Sequence, residues 1–528
     1  MRALGLLLAA LLTLASAPSS QAIGPVTAGG PRLYVAPPSG GGGTVVADLQ
    51  VSRTSCIAPC GVQFDATGST SSDATVDEFR QLAYSFNAGD PGSGTYAETG
   101  QSKNTQKGGP VWGHVYEQPG TYTAKVRVRD SSGGANDGDN DQDEVTITVA
   151  DPNTYFSGTS TICLDPAGGT GWGPTGCSYV TSIATDFATD NRRILIRAGS
   201  TYNSQIRLDR LVNNVHIMAY GAGAAPILTQ DIQIPKDATN TSTSVGVWPE
   251  DIVVQGLDLR AGISLEQAGG RHILIKDNLF LADLNNVDTW IDSGHALSYE
   301  TTGAGAPPPS GWTVADYHHV RNLFLVGNQM IGDGVNNASF FGDAVESVFL
   351  DNEIYWVESG AHNIRITQGH KTFVGHNNLR GRSGDGSTHA IKIHSSGYNA
   401  LNPASLNGAG EATRYVVIAD NLIGSSTNND QWLVSIRPQS DRPDPPGPYM
   451  EGIEDVLIER NVFNPAGASV EVMSLSRRLT MRANSRTDAG SVRTMFITDA
   501  VASGYHSSLT DWDGPYYNMG ELTYLDPS

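Results

Sequence analysis

Short apolar runs with period-two alternation, each closed by a turn residue, recur along most of this 528-residue chain. Between about 45 and 150 the runs are Val62–Phe64, Leu82–Phe86, Thr121–Arg129 and Glu144–Val149, separated by Gly, Asp, Asn and Ser. That spacing predicts a small antiparallel β-sandwich. Beyond residue 150 a different pattern repeats: a short apolar run is followed by Asn, any residue and another apolar one. The copies are Ile273–Ile275 with Asn278, Leu323–Leu325 with Asn328, Val348–Leu350 with Asn352, Phe373-Val374 with Asn377, Val416–Ile418 with Asn421, and Val456–Ile458 with Asn461. An earlier version, Ile252–Val254 with Leu257-Asp258-Leu259, lacks the Asn.

The closer copies lie 21 to 25 residues apart, one rung of a parallel β-solenoid; spacings of 40 to 50 add an insertion or a second rung. Period-two alternation and the dominance of Val, Ile and Phe exclude helical repeats. Asn suits the turn because it tolerates left-handed backbone and its amide can bond the Asn above and below. The pattern resembles the right-handed parallel β-helix of the pectate-lyase-like superfamily over most of 190–480. The fold class expected is therefore all-β, a small β-sandwich plus a right-handed parallel β-helix.

The sandwich carries its own resemblance. Phe64-Asp65-Ala66-Thr67-Gly68-Ser69, Tyr84-Ser85-Phe86, and His114-Val115-Tyr116-Glu117-Gln118-Pro119-Gly120-Thr121-Tyr122-Thr123 look like a PKD domain. The family's Phe-Gly-Asp-Gly turn is altered here to Phe86-Asn87-Ala88-Gly89-Asp90. The resemblance implies an immunoglobulin-like spacer or carbohydrate-proximal module without catalysis of its own. Its acidic run Asp137–Asp143 lacks the Gly and Glu of an EF-hand loop, with Gln142 and Thr148 in those places, and reads as a solvated loop.

The N-terminus places the protein. Arg2, the apolar run Leu4–Leu14 and the small residues up to Ala22 form a secretory signal peptide over 1–22, with a run too short for the roughly 20 residues of a membrane span. A Pro/Gly linker follows over 23–44, then the sandwich over 45–150. The β-helix domain takes 151–528, with an N-terminal disulfide region and a C-terminal tail after Arg482 as a cap. Export makes two local disulfides, Cys56/Cys60 and Cys163/Cys177, the simplest use of the four cysteines.

The net charge of −21 argues against a nucleic-acid partner, but its distribution is uneven. Residues 360–399 hold five of the 33 basic residues and one of the 54 acidic ones, a local +4 in a remainder of −25, with five of the twelve histidines. Aligning Val348–Leu350 with Thr372–Val374 brings Ile364 and Ile366 over Ile391 and Ile393. Arg365 and Lys392 then point outward on adjacent rungs about 4.8 Å apart. The next rung places Ser435 beside Lys392 and Arg437 beside His394, and a further one puts Glu471 in the same column. Stacked cations repel and lower a lysine's pKa, so the stripe suits a polyanion.

An extracellular uronate polysaccharide is the expected partner, and β-elimination the expected chemistry. Arg365 neutralises the carboxylate, Lys392 removes the α-proton, and His394 or His362 protonates the departing oxygen; Arg437, Arg380, Arg382 and His389 contact the chain. β-Helix lyases resemble this in using Lys or Arg as base, often with Ca²⁺. The familiar aspartate ligands have no residue-by-residue match here, so metal dependence stays open. Two alternatives are a glycoside hydrolase using carboxylates among Asp283, Asp288, Asp292, Glu300, Asp333 and Asp343, and a non-catalytic glycan-binding or adhesin solenoid. No membrane span is expected, and the protein is read as a secreted monomer.

Overall fold

A computed structural model describes residues 45–496, apart from 74–75, 132–138, 210–211, 235–248, 266–269, 282–286, 295–319, 332–334, 358–361, 383–388, 394–412, 425–431, 437–452, 465–469, 475, 489 and 493. The signal peptide, the linker and the aromatic tail expected from the sequence lie outside these residues. Among the described residues no helix is long and apolar enough to cross a membrane.

Alternating strands of the N-terminal part pair into a three-stranded antiparallel sheet (Gln50–Val51, Cys60–Asp65, Val111–Tyr116) and a five-stranded one containing Leu82–Asn87, Gly120–Asp130 and Asn140–Ala150. Phe64, Phe86 and Trp112 fill the space between them, with the Phe64 and Trp112 rings 5.1 Å apart. The acidic run, expected as a loop, enters the last strand from Asn140. Asp141 and Asp143 accept the backbone N–H groups of Ala47 and Leu49. The carboxylates thus hold the first segment of the sandwich. Both disulfides are formed, Cys56–Cys60 and Cys163–Cys177.

From Thr161 onward the chain coils into a parallel β-helix. One column of ten short strands runs from Thr201–Tyr202 to Ser485–Arg486. A continuous 22-stranded sheet wraps the other two sides, because strands such as His362–Gly375 run on from one side to the next. Inward side chains, among them Ile273, Leu323, Ile364, Ile391 and Val434, form one continuous core.

Asn side chains stack from rung to rung as the repeat implied. The Nδ2 of Asn352 donates to Asn377 Oδ1 at 2.9 Å, Asn377 to Asn421 at 2.9 Å, and Asn421 to Asn461 at 2.9 Å. Each amide also donates to a strand carbonyl, as Asn377 does to Phe349. The left-handed residue, however, is the one before the Asn: Asp277, Asp351, His376, Asp420 and Arg460 have φ between 52 and 58°. Asn is therefore chosen for its two-sided amide, and the neighbour takes the backbone turn. Asn484, which the repeat count passed over, closes the ladder. Replacing Asn377 by Ala strands the N–H of Asn352 and the carbonyl of Phe349. The expected cost is about 1–3 kcal/mol for each buried group left unpaired, read as a fall in melting temperature.

The sandwich does not hang as a spacer. On one side of the β-helix an outward column runs in register through Val253, Leu274, Phe324, Val348, Phe373, Val417 and Leu457. None is more than 5% exposed, because the three-stranded sheet of the sandwich packs on them. Close approach requires glycine on the sandwich side: a Cβ at Gly113 would lie 2.5 Å from Val348 Cγ2, and one at Gly61 would lie 2.6 Å from Phe324 Cγ.

Candidate functional site

Strand register carries the candidate site. Ile364 pairs with Ile391, Arg365 with Lys392 and Ile366 with Ile393. On the next rung Lys392 pairs with Ser435. Ile364, Ile366, Ile391 and Ile393 are buried in the core, whereas Arg365 and Lys392 are both partly exposed. Parallel strands lie about 4.8 Å apart, so two cationic side chains leave the same side of the β-helix on neighbouring rungs. Before Arg365 the column holds Ser264, Asp292 and Phe341. After Ser435 it reaches Met473. Glu471, placed in this column by sequence alignment, sits two positions earlier beside Leu433. It is fully buried, 3.7 Å from Arg486. The slip comes from counting apolar residues in Val470-Glu471-Val472, whose Val470 pairs with Trp432.

Beside the pair lies a second stack. The rings of His362 and His389 are parallel within 5° with centroids 5.2 Å apart, and both residues are buried. His389 donates its backbone N–H to His362 Nδ1 at 3.1 Å. An accepting Nδ1 leaves the proton of a neutral imidazole on Nε2. Two polar atoms that sequence reasoning missed also sit here: Asn363 Oδ1 and Ser435 Oγ are buried without a hydrogen-bond partner among the described residues. No motif marked them, since their meaning depends on register.

The remaining cations of the 360–399 stretch do not join this column. Arg380 lies on the ten-stranded column, where it meets Glu98 of the sandwich at 3.5 Å and the Tyr355 ring at 5.8 Å. Arg382 follows two residues later on the same strand, paired with Val357. Lys371 binds Asp65 at 2.6 Å. His394 and Arg437 lie outside the described residues, as do Asp283, Glu300 and Asp333. Asp343 is buried, and Asp288 and Asp292 fall in the strand Val287–Gly294. Among the described residues no three His, Cys, Asp or Glu side chains converge as a metal ion would need.

On the adjoining side of the β-helix, charged groups pair across the seam between the domains. Arg53 pairs with Asp251, Glu117 with Lys276 at 3.0 Å, and Lys103 with Asp351 at 2.7 Å. At its centre His376, wholly buried, stacks on Tyr96 at 3.8 Å. Its Nε2 donates to Gln106 Oε1 at 2.9 Å, and Thr99 Oγ1 lies 3.1 Å from Nδ1. Desolvation lowers the His376 pKa to about 4, with Arg460 and Lys103 adding to it against the opposing Asp420. His216, in the same outward column, is lowered to about 3 by desolvation and by Arg193 and Arg53.

Both histidines are neutral in the folded protein and charge near 6.5 when unfolded. Their contribution is whole above that pH and is lost as the pH falls through 6.5 toward 4 and 3. The melting temperature is expected to drop between pH 7.5 and 4.5, and a His376→Gln variant to show a shallower drop.

Comparison with known proteins places the N-terminal sandwich. Residues 48–140 match the PKD domain family, so the sandwich is a PKD domain. No curated protein matches the chain. Among solved structures the chain is similar to a mannuronic acid specific polysaccharide family 6 lyase from human gut microbiota, at 10% identity and a TM-score of 0.25, over 60% of this chain and 84% of that one. It is also similar to the catalytic domain of a GH87 alpha-1,3-glucanase in complex with nigerose, at 10% identity and a TM-score of 0.30, over 91% and 96%. Scores this low leave the chemistry to the residues of this chain.

Proposed function

We propose that this protein is a secreted enzyme that cleaves a uronate-containing polysaccharide by β-elimination at the Arg365–Lys392 pair. The observation that carries the reading is their register: two cations on adjacent rungs of one face, a spacing that suits an anionic chain laid across the rungs. Two formed disulfides fit an oxidising, extracellular setting.

Arg365 pairs with the uronate carboxylate and stabilises the negative charge that develops next to it. The amine of Lys392, in its base form, takes the α-proton at C5. The electron pair forms the C4–C5 double bond as the C4–O bond breaks. The departing oxygen takes its proton from solvent water, and the ammonium formed on Lys392 returns its proton to solvent; His362, buried and neutral with Nδ1 accepting the His389 N–H, braces the rung from within. Arg380 binds the PKD domain in place of substrate, and His389 orients His362.

The test is incubation with polygalacturonate, alginate and glucuronan while ultraviolet absorbance follows the unsaturated product. An absorbance rise supports elimination. New reducing ends without that rise would replace the lyase with a hydrolase. Silence in both assays removes the enzymatic reading and leaves a glycan-binding solenoid.

A further inference from the structure

The PKD domain and the β-helix enclose a cleft of about 590 Å³ on the edge of their seam, remote in sequence from Arg365 and Lys392. That volume lies within the roughly 300–1,000 Å³ of ligand sites, which favour domain junctions. Its β-helix wall is a column of left-handed corner residues, Tyr415, Asp455 and Arg478, with φ of 59, 54 and 55°. They sit on three successive rungs, about 10 Å of wall at the rung spacing. Equivalent corners elsewhere carry Asn322 and Lys371. A bulky aromatic is uncommon in that backbone region and marks a position for attention.

Tyr415 is half-buried, with the Phe79 ring of the PKD domain 5.5 Å away and the Arg414 guanidinium 4.3 Å from its centroid. No hydrogen bond engages its hydroxyl among the described residues. Burial raises its pKa, which keeps the phenol a donor. The charges around it are balanced. Asp455 holds Arg414 at 2.9 Å and Arg478 beside it, and Asp77 holds Arg80 at 2.7 Å. A wall of paired carboxylates and guanidinium groups offers acceptors and donors in fixed planes without a net field. It suits vicinal hydroxyls, and the Tyr415 hydroxyl adds one more donor. A polyanion gains nothing from it, in contrast to the Arg365–Lys392 face.

We propose that this cleft is a binding site for a neutral oligosaccharide, shared between the PKD domain and the β-helix. The inference stands apart from the lyase reading, and either can fail alone. The full chain is titrated calorimetrically with cellohexaose, xylohexaose, mannohexaose and maltohexaose, and with hexagalacturonate as the charged counterpart.

At least one neutral hexasaccharide is expected to bind. Tyr415→Ala and Arg414→Ala are each expected to weaken that binding tenfold or more, and Tyr415→Phe less. Arg414 is partly exposed, so its variant keeps the test open where Tyr415→Ala fails to fold; melting temperatures identify that case. Binding of none of the four neutral sugars would make the cleft a hydrated seam. Binding unchanged in both variants would place the sugar elsewhere. Either result overturns the proposal, while uronate cleavage, measured separately, continues to judge the lyase.

Discussion

A chain cut back to residues 151–528 is expected to be recovered as aggregate, or as an oligomer that binds hydrophobic dyes. The cause is the column Val253, Leu274, Phe324, Val348, Phe373, Val417 and Leu457, which the PKD domain covers. Each such side chain contributes roughly 1.5–3 kcal/mol when removed from water, an upper value because unfolded chains already shield part of it. Exposed together, they make a contiguous apolar stripe of the kind soluble monomers avoid. A gentler version is Gly113→Leu. Its Cβ alone would stand 2.5 Å from Val348, so the sandwich must lift or Val348 and Phe324 must move, at about 1–3 kcal/mol or more. Size-exclusion chromatography and thermal melts read both variants. A truncated chain that is monomeric, with the melting temperature of the whole, would show that the seam adds nothing to stability.

That seam was the part of the fold least legible in the sequence, although a signal was there. In Ile273-Leu274-Ile275, Leu323-Phe324-Leu325 and Val416-Val417-Ile418 three apolar residues stand in a row. A strand with one wet face alternates, whereas an unbroken run means burial on both faces. The outer members of each run face the core, and the middle ones, Leu274, Phe324 and Val417, belong to the seam. The solenoid itself was plain from the Asn repeat because every rung restates the same turn. The PKD domain was plain from its closing hairpin.

Charge was harder to read. The +4 stretch looks like one site along the chain. Yet a rung of about 25 residues visits three sides of the β-helix, so neighbours in sequence diverge in space. Lys371 goes to Asp65 and Arg380 to Glu98, while Arg365 and Lys392, 27 residues apart, come together. Register, set by the isoleucines on either side, predicted that last pairing; composition alone did not. The same logic misplaced Glu471, where an insertion and a two-residue ambiguity in Val470-Glu471-Val472 left the alternation without an anchor.

Lys392→Ala should be the most damaging single change to activity. Loss of a general base costs about 10²–10⁴-fold in rate. Because the amine acts on the proton in flight more than on bound substrate, kcat is expected to fall with KM little changed. Arg365→Ala should differ in kind. Its guanidinium meets the carboxylate before and during proton loss, so KM rises and kcat falls together. Arg365→Lys should recover only part, since a point charge replaces a planar, two-pronged donor. Lys371→Ala supplies the comparison, for it removes a nearby cation that faces Asp65 across the seam. It should lower the melting temperature and leave turnover alone. Unsaturated product from a fully active Lys392→Ala variant would sink the assignment of the base while sparing the fold. Equal losses from Lys371→Ala and Lys392→Ala would mean that the stretch acts through its total charge, and that the stacking of Arg365 on Lys392 carries no chemistry of its own.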